Sequence, residues 1–557
     1  MTESNREREP SPTPGGDRAA EEDQYVAARR QHLQELAALG IEPWPYRWER
    51  THSVGEVLTQ WDDLCGPAGE GEDPPRLRLA GRLMTMRRHG KTFFTDLLDA
   101  TGSLQLYVKK DTVGDQAWAV GELLDLGDWI GVEGTLMVTR TGERTLAVES
   151  LAVLAKSLRP IPTPKTTTDP DTGEETTHYA FADKELRYRQ RYVDLFVNPG
   201  VREVFRRRAR IVTELRAFLD DRGFLEVETP ILQTLHGGAS ARPFTTLHNA
   251  LDIEMYLRIA IELHHKRLIV GGLEKVYEIG RIFRNEGLDK RHNPEFTMLE
   301  LYQAFADYGD IMTLVEAMFS HWIDTVLEGE ATVTFEGVEI DLSPPWPRRT
   351  WPDLIGDHGG PAVLEMNDDE LRASLTADGA EVENALGRAA LLDAAFGHWA
   401  EPHLLQPVFV IDHPLELSPL AKRHRGRPGL TERFELVIAG MEFANAFSEL
   451  NDPDDQRERF RSQLALLELG DEEAQRFDAD FVRALEFGMP PTGGLGVGID
   501  RVVMLLTGTP SIRDVILFPV MRPEGGEGGS GAAAADESGA PENRDDPDAG
   551  QDPGAVT

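Results

Sequence analysis

The stretch Lys275–Phe305, KVYEIGRIFRNEGLDKRHNPEFTMLELYQAF, constrains the fold of this chain more than any other. Two runs of period-two patterning flank a polar loop, so each run must lie extended, with one face turned in and one out. In Val276–Glu286 the alternation puts Glu278, Ile282, Arg284 and Glu286 on one face. In Phe296–Tyr302 it puts Phe296, Met298, Glu300 and Tyr302 on one face and Thr297, Leu299 and Leu301 on the other. The apolar odd-numbered set reads as core. The even-numbered set, an aromatic ring, a carboxylate and a phenol, has the make-up of a ligand-facing surface. Between the runs, Lys290, Arg291, His292 and Asn293 form a cluster suited to a polyphosphate.

Length and composition bound the rest. A chain of 557 residues, 40% of them apolar, accommodates roughly three to four domains on a prior of about 150 residues each. Cys65 is the sole cysteine, which excludes an internal disulfide or a cysteine-built metal cage. No apolar run is long enough to span a membrane, and the polar N-terminus has no signal-peptide core; the expectation is a cytoplasmic protein without membrane contact. The net charge of -38 tells against nucleic acid only in total, because binding depends on local basic patches.

Residues 1–22 are polar and rich in Pro, Gly, Glu and Arg, and are expected to be disordered. A helical segment, 23–70, begins with a helix over Gln24–Leu39 that Gly40 stops. Its basic side, Arg29, Arg30 and His32, suits either solvent or nucleic acid. Within 71–158, short strands at Arg76–Leu83, Thr92–Leu98, Ser103–Val108, Trp129–Thr135 and Leu146–Leu154 surround a helix near Ala117–Leu126. Five strands with a helix after the third fit an OB-fold barrel, and Arg87, Phe94 and Gln105 supply a charge, a stacking face and an amide for single-stranded nucleic acid. A linker, 159–195, follows: Pro160, Pro162 and Pro164 stiffen it, Thr166–Thr177 reads as a loop, and Lys184, Arg187, Arg189 and Arg191 make a basic connector for solvent or a polyanion. The large domain, 196–522, opens with a helix over Val201–Arg222 and a strand over Phe224–Glu228. The acidic tail, 523–557, has almost no large apolar residue and is expected to be disordered.

Three further constellations carry chemistry. Gly237–Arg242 is a small-residue loop that lets backbone approach a ligand. In Glu435–Glu449 a tight turn at Ala439-Gly440 puts Glu435 and Glu442 on one hairpin face, where two carboxylates suit Mg²⁺ held against phosphates. Plain alternation then turns Asn445, Phe447 and Glu449 away from Glu442; for all to line one site, a bulge near Phe443-Ala444 is required. Last, GLGVGIDR at Gly494–Arg501 runs into an apolar helix over Val502–Leu506, with glycines that leave room for a nucleotide and Arg501 at a helix start.

From about Tyr25 to Pro523 the chain resembles the class II aminoacyl-tRNA synthetases, and among them the bacterial-type lysyl-tRNA synthetases. The helix and strand ending at Pro230 look like motif 1, FRNEG (Phe283–Gly287) with RHNPEFTMLELY (Arg291–Tyr302) like motif 2, and GLGVGIDR like motif 3. HGGASARPF (His236–Phe244) and FSELNDP (Phe447–Pro453) are similar to stretches peculiar to the lysine enzymes. The resemblance implies an α+β protein: an N-terminal OB-fold anticodon-binding barrel plus a catalytic domain built on an antiparallel β-sheet flanked by helices. It implies a ligase that activates L-lysine with ATP and charges tRNA(Lys), working as a homodimer through motif 1. Arg284 and Arg501 would be catalytic. ATP would meet Arg284, Glu286, Arg291, His292, Asn293, Phe296, Glu435 and Arg501, with Mg²⁺ on Glu435 and Glu442. Lysine would meet Gly238, Glu262, Arg284, Glu300, Tyr302, Asn445, Phe447 and Glu449, the last with Tyr302 at the ε-ammonium. The anticodon would meet Arg87, Phe94 and Gln105. His236, Ile261, His264 and His265 depart from the usual residues without removing a charge, and His264 and His265 read as packing or surface. The alternatives are an aspartyl- or asparaginyl-type synthetase and a lysyl ligase with a non-tRNA acceptor.

Overall fold

A computed structural model describes residues 16–65, 75–162, 165–168, 175–178, 181–239, 241–380, 382, 387–468 and 476–523. The first helix spans Gly16–Ala38, so it starts within the segment expected to be disordered; the expected acidic tail lies outside the described residues, apart from Pro523.

Alternation produces the barrel. Along Leu77–Leu83, Thr92–Leu98 and Ser103–Lys109 every second residue is buried, because one face of each strand closes on a core that includes Leu79, Phe93, Leu106, Ile130 and Val148. The strands lie in the order Leu77–Leu83, Trp129–Val138, Arg144–Ala155, Ser103–Lys109, Thr92–Leu98 and Arg87–His89, and Arg82 and Leu83 pair back onto Leu98 and Leu97 to shut the barrel. The short Arg87–His89 strand is an addition to the five expected. The helix between Ser103–Lys109 and Trp129–Val138 spans Lys110–Glu122, earlier than its apolar pattern suggested.

Two basic segments are consumed by packing. Arg29 is buried and donates to the carbonyls of Ser157 (2.8 Å) and Arg159 (2.7 Å), and His32 Nδ1 meets Asp125 at 2.9 Å. In the connector, Arg187 and the fully buried Arg191 both hold Asp194, at 2.8 and 2.6 Å, and Arg191 also donates to the carbonyl of Arg513. Neither set is left as a free polyanion surface, although Arg30 and Lys184 stay exposed. The expected loop over Thr166–Thr177 contains, in its described parts, an antiparallel pair of strands, Lys165–Thr168 with Glu175–His178.

The large domain is built on eight strands in the order Arg348–Thr350, Val408–Ile411, Arg433–Ile438, Met441–Ser448, Thr492–Gly498, Glu295–Ala304, Lys275–Phe283 and Leu225–Glu226. The central pairings are antiparallel. The two outermost, Arg348–Thr350 on Val408–Ile411 and Leu225–Glu226 on Lys275–Phe283, are parallel, so the sheet is mixed where an antiparallel one was expected. Helices Pro199–Asp220, Tyr308–Thr325 and Ile499–Thr507 cover one face; Ile211, Leu215, Phe319, Trp322, Val503 and Leu505 belong to one core with Leu299, Leu301 and Val497 of the sheet. That leaves the even-numbered face of Glu295–Ala304 for the site. Arg208 of the Pro199–Asp220 helix reaches Asp500 Oδ1 at 2.5 Å and Thr297 Oγ1 at 3.1 Å, while the Thr297 N–H donates to Asp500 Oδ2 at 2.6 Å. The three segments carrying the sequence motifs are thereby bolted at one point.

The same helix clasps the barrel at its N-terminal end. Arg202 donates to the Asp99 carbonyl at 2.8 Å and Arg206 to that of Ala100, and Arg82 of the barrel lies 4.3 Å from the Phe196 ring centroid.

Candidate active site

The strands Lys275–Phe283 and Glu295–Ala304 pair in register from Lys275↔Gln303 to Phe283↔Glu295, which sets Ile282 beside Phe296 and Glu278 beside Glu300. The loop between them is shaped by Asp289, whose carboxylate accepts from the N–H groups of Arg291 (2.6 Å) and His292 (2.7 Å) and meets His292 Nδ1 at 2.8 Å. It is anchored by the Ile512 N–H, which donates to the Lys290 carbonyl. This places Arg284, Glu286, Arg291, His292, Asn293 and Phe296 on the wall of one cavity of about 150 Å³, with Glu442 and Arg501 opposite. Arg284 Nε is buried without a hydrogen-bond partner among the described residues, and its guanidinium carbon is 5.3 Å from the Phe296 centroid. A half-buried guanidinium whose Nε has no partner among the described residues, beside a half-buried ring, is an anion site next to a stacking face. Arg501 is steadied by donating to the Glu442 carbonyl at 2.5 Å, with the Glu442 carboxylate 4.0 Å away.

The second hairpin settles the parity question raised by the sequence. Ala439 and Gly440 both take positive φ, 52° and 63°, the turn that closes a two-residue hairpin. Pairing runs Val437↔Glu442 and then Leu436↔Ala444, so Phe443 is an extra residue, a bulge at the position required. Beyond it Asn445 and Phe447 return to the face of Glu442, and all three line a second cavity of about 270 Å³ with Gly238, Glu262, Arg284, Glu300 and Tyr302. Arg284, Met298, Glu442 and Gly496 border both cavities, which are therefore one continuous cleft.

The second cavity is rich in carboxylates, with Glu262, Glu300 and Glu442 on its wall. Glu300 is fixed from two sides: the Ile261 N–H donates to Oε1 at 3.1 Å and the Tyr302 hydroxyl to Oε2 at 3.2 Å. Burial pushes the Glu300 and Glu262 carboxyls up and the Tyr302 phenol well up. Gly238, at φ 91°, is one position where backbone conformation favours glycine, and an added Cβ there would sit 3.1 Å from that of Ala260.

Two expected residues lie behind the walls. Glu435 contacts Arg433 at 2.5 Å and Asn445 Nδ2 at 3.3 Å, both through Oε1, and borders neither cavity. Glu449 is wholly buried behind Gly494: a Cβ on that glycine would fall 1.8 Å from Glu449 Oε1 and 2.6 Å from Tyr302 Cε1. Two glycines of GLGVGIDR, Gly494 and Gly496, also make room for the protein's own side chains. Gly494 admits Glu449 and Tyr302, and Gly496 admits the Met298 methyl, 2.5 Å from a would-be Cβ; at Gly498 a Cβ would meet only Arg501, at an ordinary 3.8 Å, and Gly496 and Gly498 both border the first cavity.

Two charged residues escaped the sequence reading. Arg433 lines the second cavity and orients Asn445 as well as Glu435. Lys266, fully buried, holds both Glu262 and Glu449; its i,i+4 spacing from Glu262 was the available signal. His265 is buried core, meeting Glu278 at 3.3 Å and packing edge-on against Tyr302 at 5.4 Å. His236 packs on Tyr256 at 4.9 Å, and burial, with Arg476 adding to it, holds its imidazole down to about 4, so it is neutral.

Among the described residues no group of three or more His, Cys, Asp or Glu is arranged to hold a metal alone. The neighbourhood is nonetheless negative: burial raises the Glu401 carboxyl, and Glu435, Asp393 and Glu442 raise it further. Glu442 on the cleft wall and, behind it, Glu435, whose contacts to Arg433 and Asn445 both use Oε1, are the carboxylates such a field offers to a hard divalent cation that takes its other ligands from phosphate and water.

On the barrel, Phe94 pairs with both Arg87 and Tyr107, and Asp96 with Gln105, so Phe94, Gln105 and Tyr107 share the outer face. Phe94 and Tyr107 rings lie 4.9 Å apart, and Gln105 Oε1 accepts from the Thr145 hydroxyl at 2.9 Å, which leaves its NH₂ to donate elsewhere.

Residues 183–522 match the family described as tRNA synthetases class II (D, K and N), and residues 77–154 match the OB-fold nucleic acid binding domain. The chain is 51% identical over 505 residues to a lysine–tRNA ligase of Moorella thermoacetica, covering 90% of this chain and 99% of that one. It is 50% identical to that of Shouchella clausii (89% and 96% covered) and 49% to that of Staphylococcus epidermidis (89% and 98%).

Proposed function

Since the chain belongs to the class II tRNA synthetases of the D, K and N group, we propose that it is a lysine–tRNA ligase. It activates L-lysine with ATP to lysyl-adenylate and passes the lysyl group to the 3′ end of tRNA(Lys). One observation carries the reading: a single cleft with Arg291, His292, Phe296 and Arg501 at one end and the buried carboxylates Glu262 and Glu300 at the other, joined at Arg284, whose Nε has no hydrogen-bond partner among the described residues.

The chemistry follows from that layout. The lysine carboxylate attacks the α-phosphorus of ATP, and the bond to the pyrophosphate oxygen breaks as the new acyl–phosphate bond forms. No general base is demanded, so the protein contributes position and electrostatics. Arg284 lies where it can grip both the substrate carboxylate and the α-phosphate, and its charge offsets that building on the phosphorus. Phe296 stacks on adenine with Arg501 on the other side; Glu286, Arg291, His292 and Asn293 border the same space. Glu435 and Glu442 would hold Mg²⁺, which when bound supplies charge neutralisation for the phosphates. Gly238, Glu262 and Glu300 take the α-amino end, and Tyr302, Asn445, Phe447 and Glu449 the ε-ammonium end. Arg87, Phe94 and Gln105 contact the anticodon. Among the described residues no helix is long and apolar enough to cross a membrane, and the reaction belongs to the cytoplasm.

A homodimer through the motif 1 region is part of the same reading. Leu225 in the motif 1 strand and, beyond Pro230, Ile231, Leu232, Leu247, Leu251 and Ile253 are all exposed, apolar surface that a partner would cover. Sedimentation at the mass of one chain would refute it. For the function itself, ATP–pyrophosphate exchange is expected with lysine; exchange with aspartate or asparagine and none with lysine sinks the proposal.

A further inference from the structure

Lys266 stands in the one place where a resident ammonium competes for the carboxylates assigned to the substrate. It lies one turn after Glu262 on the helix Glu262–Val270, and no part of its side chain reaches solvent. Its Nζ contacts Glu262 Oε1 and lies 2.5 Å from Glu449 Oε2, with the Phe447 and Phe481 rings 5.9 Å away. Glu262 is on the cavity wall, Glu449 directly behind Gly494. Glu449 Oε1 is buried with no hydrogen-bond partner among the described residues. A third buried carboxylate, Glu300, completes the cluster.

We propose that Lys266 is a positioning and specificity residue for the amino acid, fixing both the geometry and the charge of the carboxylate cluster. The inference rests on the lysine–tRNA ligase reading. With Arg433 balanced by Glu435, and with Glu442 shared with the first cavity, three buried carboxylates against one resident ammonium leave two negative charges. Lysine brings two ammonium groups, and Arg284 takes its carboxylate, so the closed pocket reaches neutrality with lysine and with no amino acid that has an uncharged side chain. An uncompensated buried charge is costly, and discrimination comes from that cost. Without Lys266 the three carboxylates would repel one another, and one would take up a proton instead of an ammonium.

The electrostatics agree in direction. Burial pushes Glu449 up to about 8; Lys266 opposes the rise, and Glu262 and Glu300 add to it. The Lys266 ammonium, disfavoured by burial, is nonetheless held charged by Glu262 and Glu449. The other titratable or charged groups facing the cluster are Tyr302 and His265, with Arg433 acting on Glu262. Below the raised carboxyl range a proton must leave before the second ammonium is accepted, so lysine affinity rises with pH up to about 8.

The test is lysine- and ATP-dependent pyrophosphate exchange from about pH 6.5 to about pH 8.5 in the parent chain, Lys266→Met, Lys266→Gln and Lys266→Arg. Absence of lysine-dependent exchange in the parent defeats the functional reading itself, separately from this proposal. The expected result for the two neutral variants is a lysine KM raised about tenfold or more near pH 6.5, narrowing as pH rises, with the ATP KM within about twofold of the parent. Lys266→Arg, which keeps the charge, is expected to retain the parental pH profile. A parental lysine KM in the neutral variants overturns the proposal. So does a loss that is equal at every pH, or one shared by ATP, since either marks a merely structural lysine.

Discussion

At the scale of residues, the most exacting constraint is space at Gly494. Its hydrogen occupies the only position from which Glu449 and Tyr302 can both close on the sheet, and no backbone conformation is at stake, since its φ is not in the left-handed region. Gly494→Ala is expected to push the Tyr302 ring and the Glu449 carboxylate aside and raise the lysine KM by about tenfold, leaving ATP binding close to parental. Equal loss for both substrates would show that the strand itself had moved. Much at this scale was legible: the even-numbered face of Phe296–Tyr302 follows from period two, and Arg284, Glu300 and Tyr302 sit on the cleft wall as that period requires. Lys266, Arg433 and Arg208 went unread: Arg208 meets Asp500 292 positions along the chain, whereas Lys266 and Arg433 have partners close in sequence, Glu262 and Glu435, whose pairing only the fold reveals.

At the scale of elements, the Phe443 bulge and the Arg208 junction do the organising. The bulge was legible as a requirement, since Glu442 and Asn445 cannot share a face without one extra residue; which residue was extra depended on the register against Arg433–Ile438. The junction was not legible: helical spacing sets Arg208 in line with Phe205, Ile211 and Leu215, but its partner Asp500 lies 292 positions along the chain. That partner is 2% exposed. Arg208→Met leaves that carboxylate buried and unpaired, an expected loss of roughly 3 kcal/mol in the stability of the large domain. A thermal melt within about 1 °C of the parent would contradict it. The same substitution is expected to slow adenylate formation, since Thr297 and Arg501 flank Asp500 on the two strands and helix that floor the cleft.

At the scale of the whole molecule, the division into barrel and large domain was readable from the change of hydrophobic period, whereas their attachment was not. Of the basic residues before the large domain, read as facing solvent or a polyanion, Arg187 and the wholly buried Arg191 are internal struts on Asp194, while Lys184 stays exposed. Separation of labour between the domains gives a further expectation. Phe94→Ala should leave lysine-dependent pyrophosphate exchange intact and slow tRNA charging by roughly tenfold or more, in line with the 1–3 kcal/mol of a base–aromatic stack; a parental charging rate would remove Phe94 from the anticodon contact. The clasp of Arg202 and Arg206 onto the Asp99 and Ala100 carbonyls has a metric consequence. With the barrel pinned to the first helix of the large domain, the span from the Phe94 face to Arg284 becomes a fixed gauge length. On the proposed anticodon contact at Phe94, the enzyme would work as a calliper: an RNA that presents the right anticodon on an arm of the wrong length would engage one jaw and miss the other.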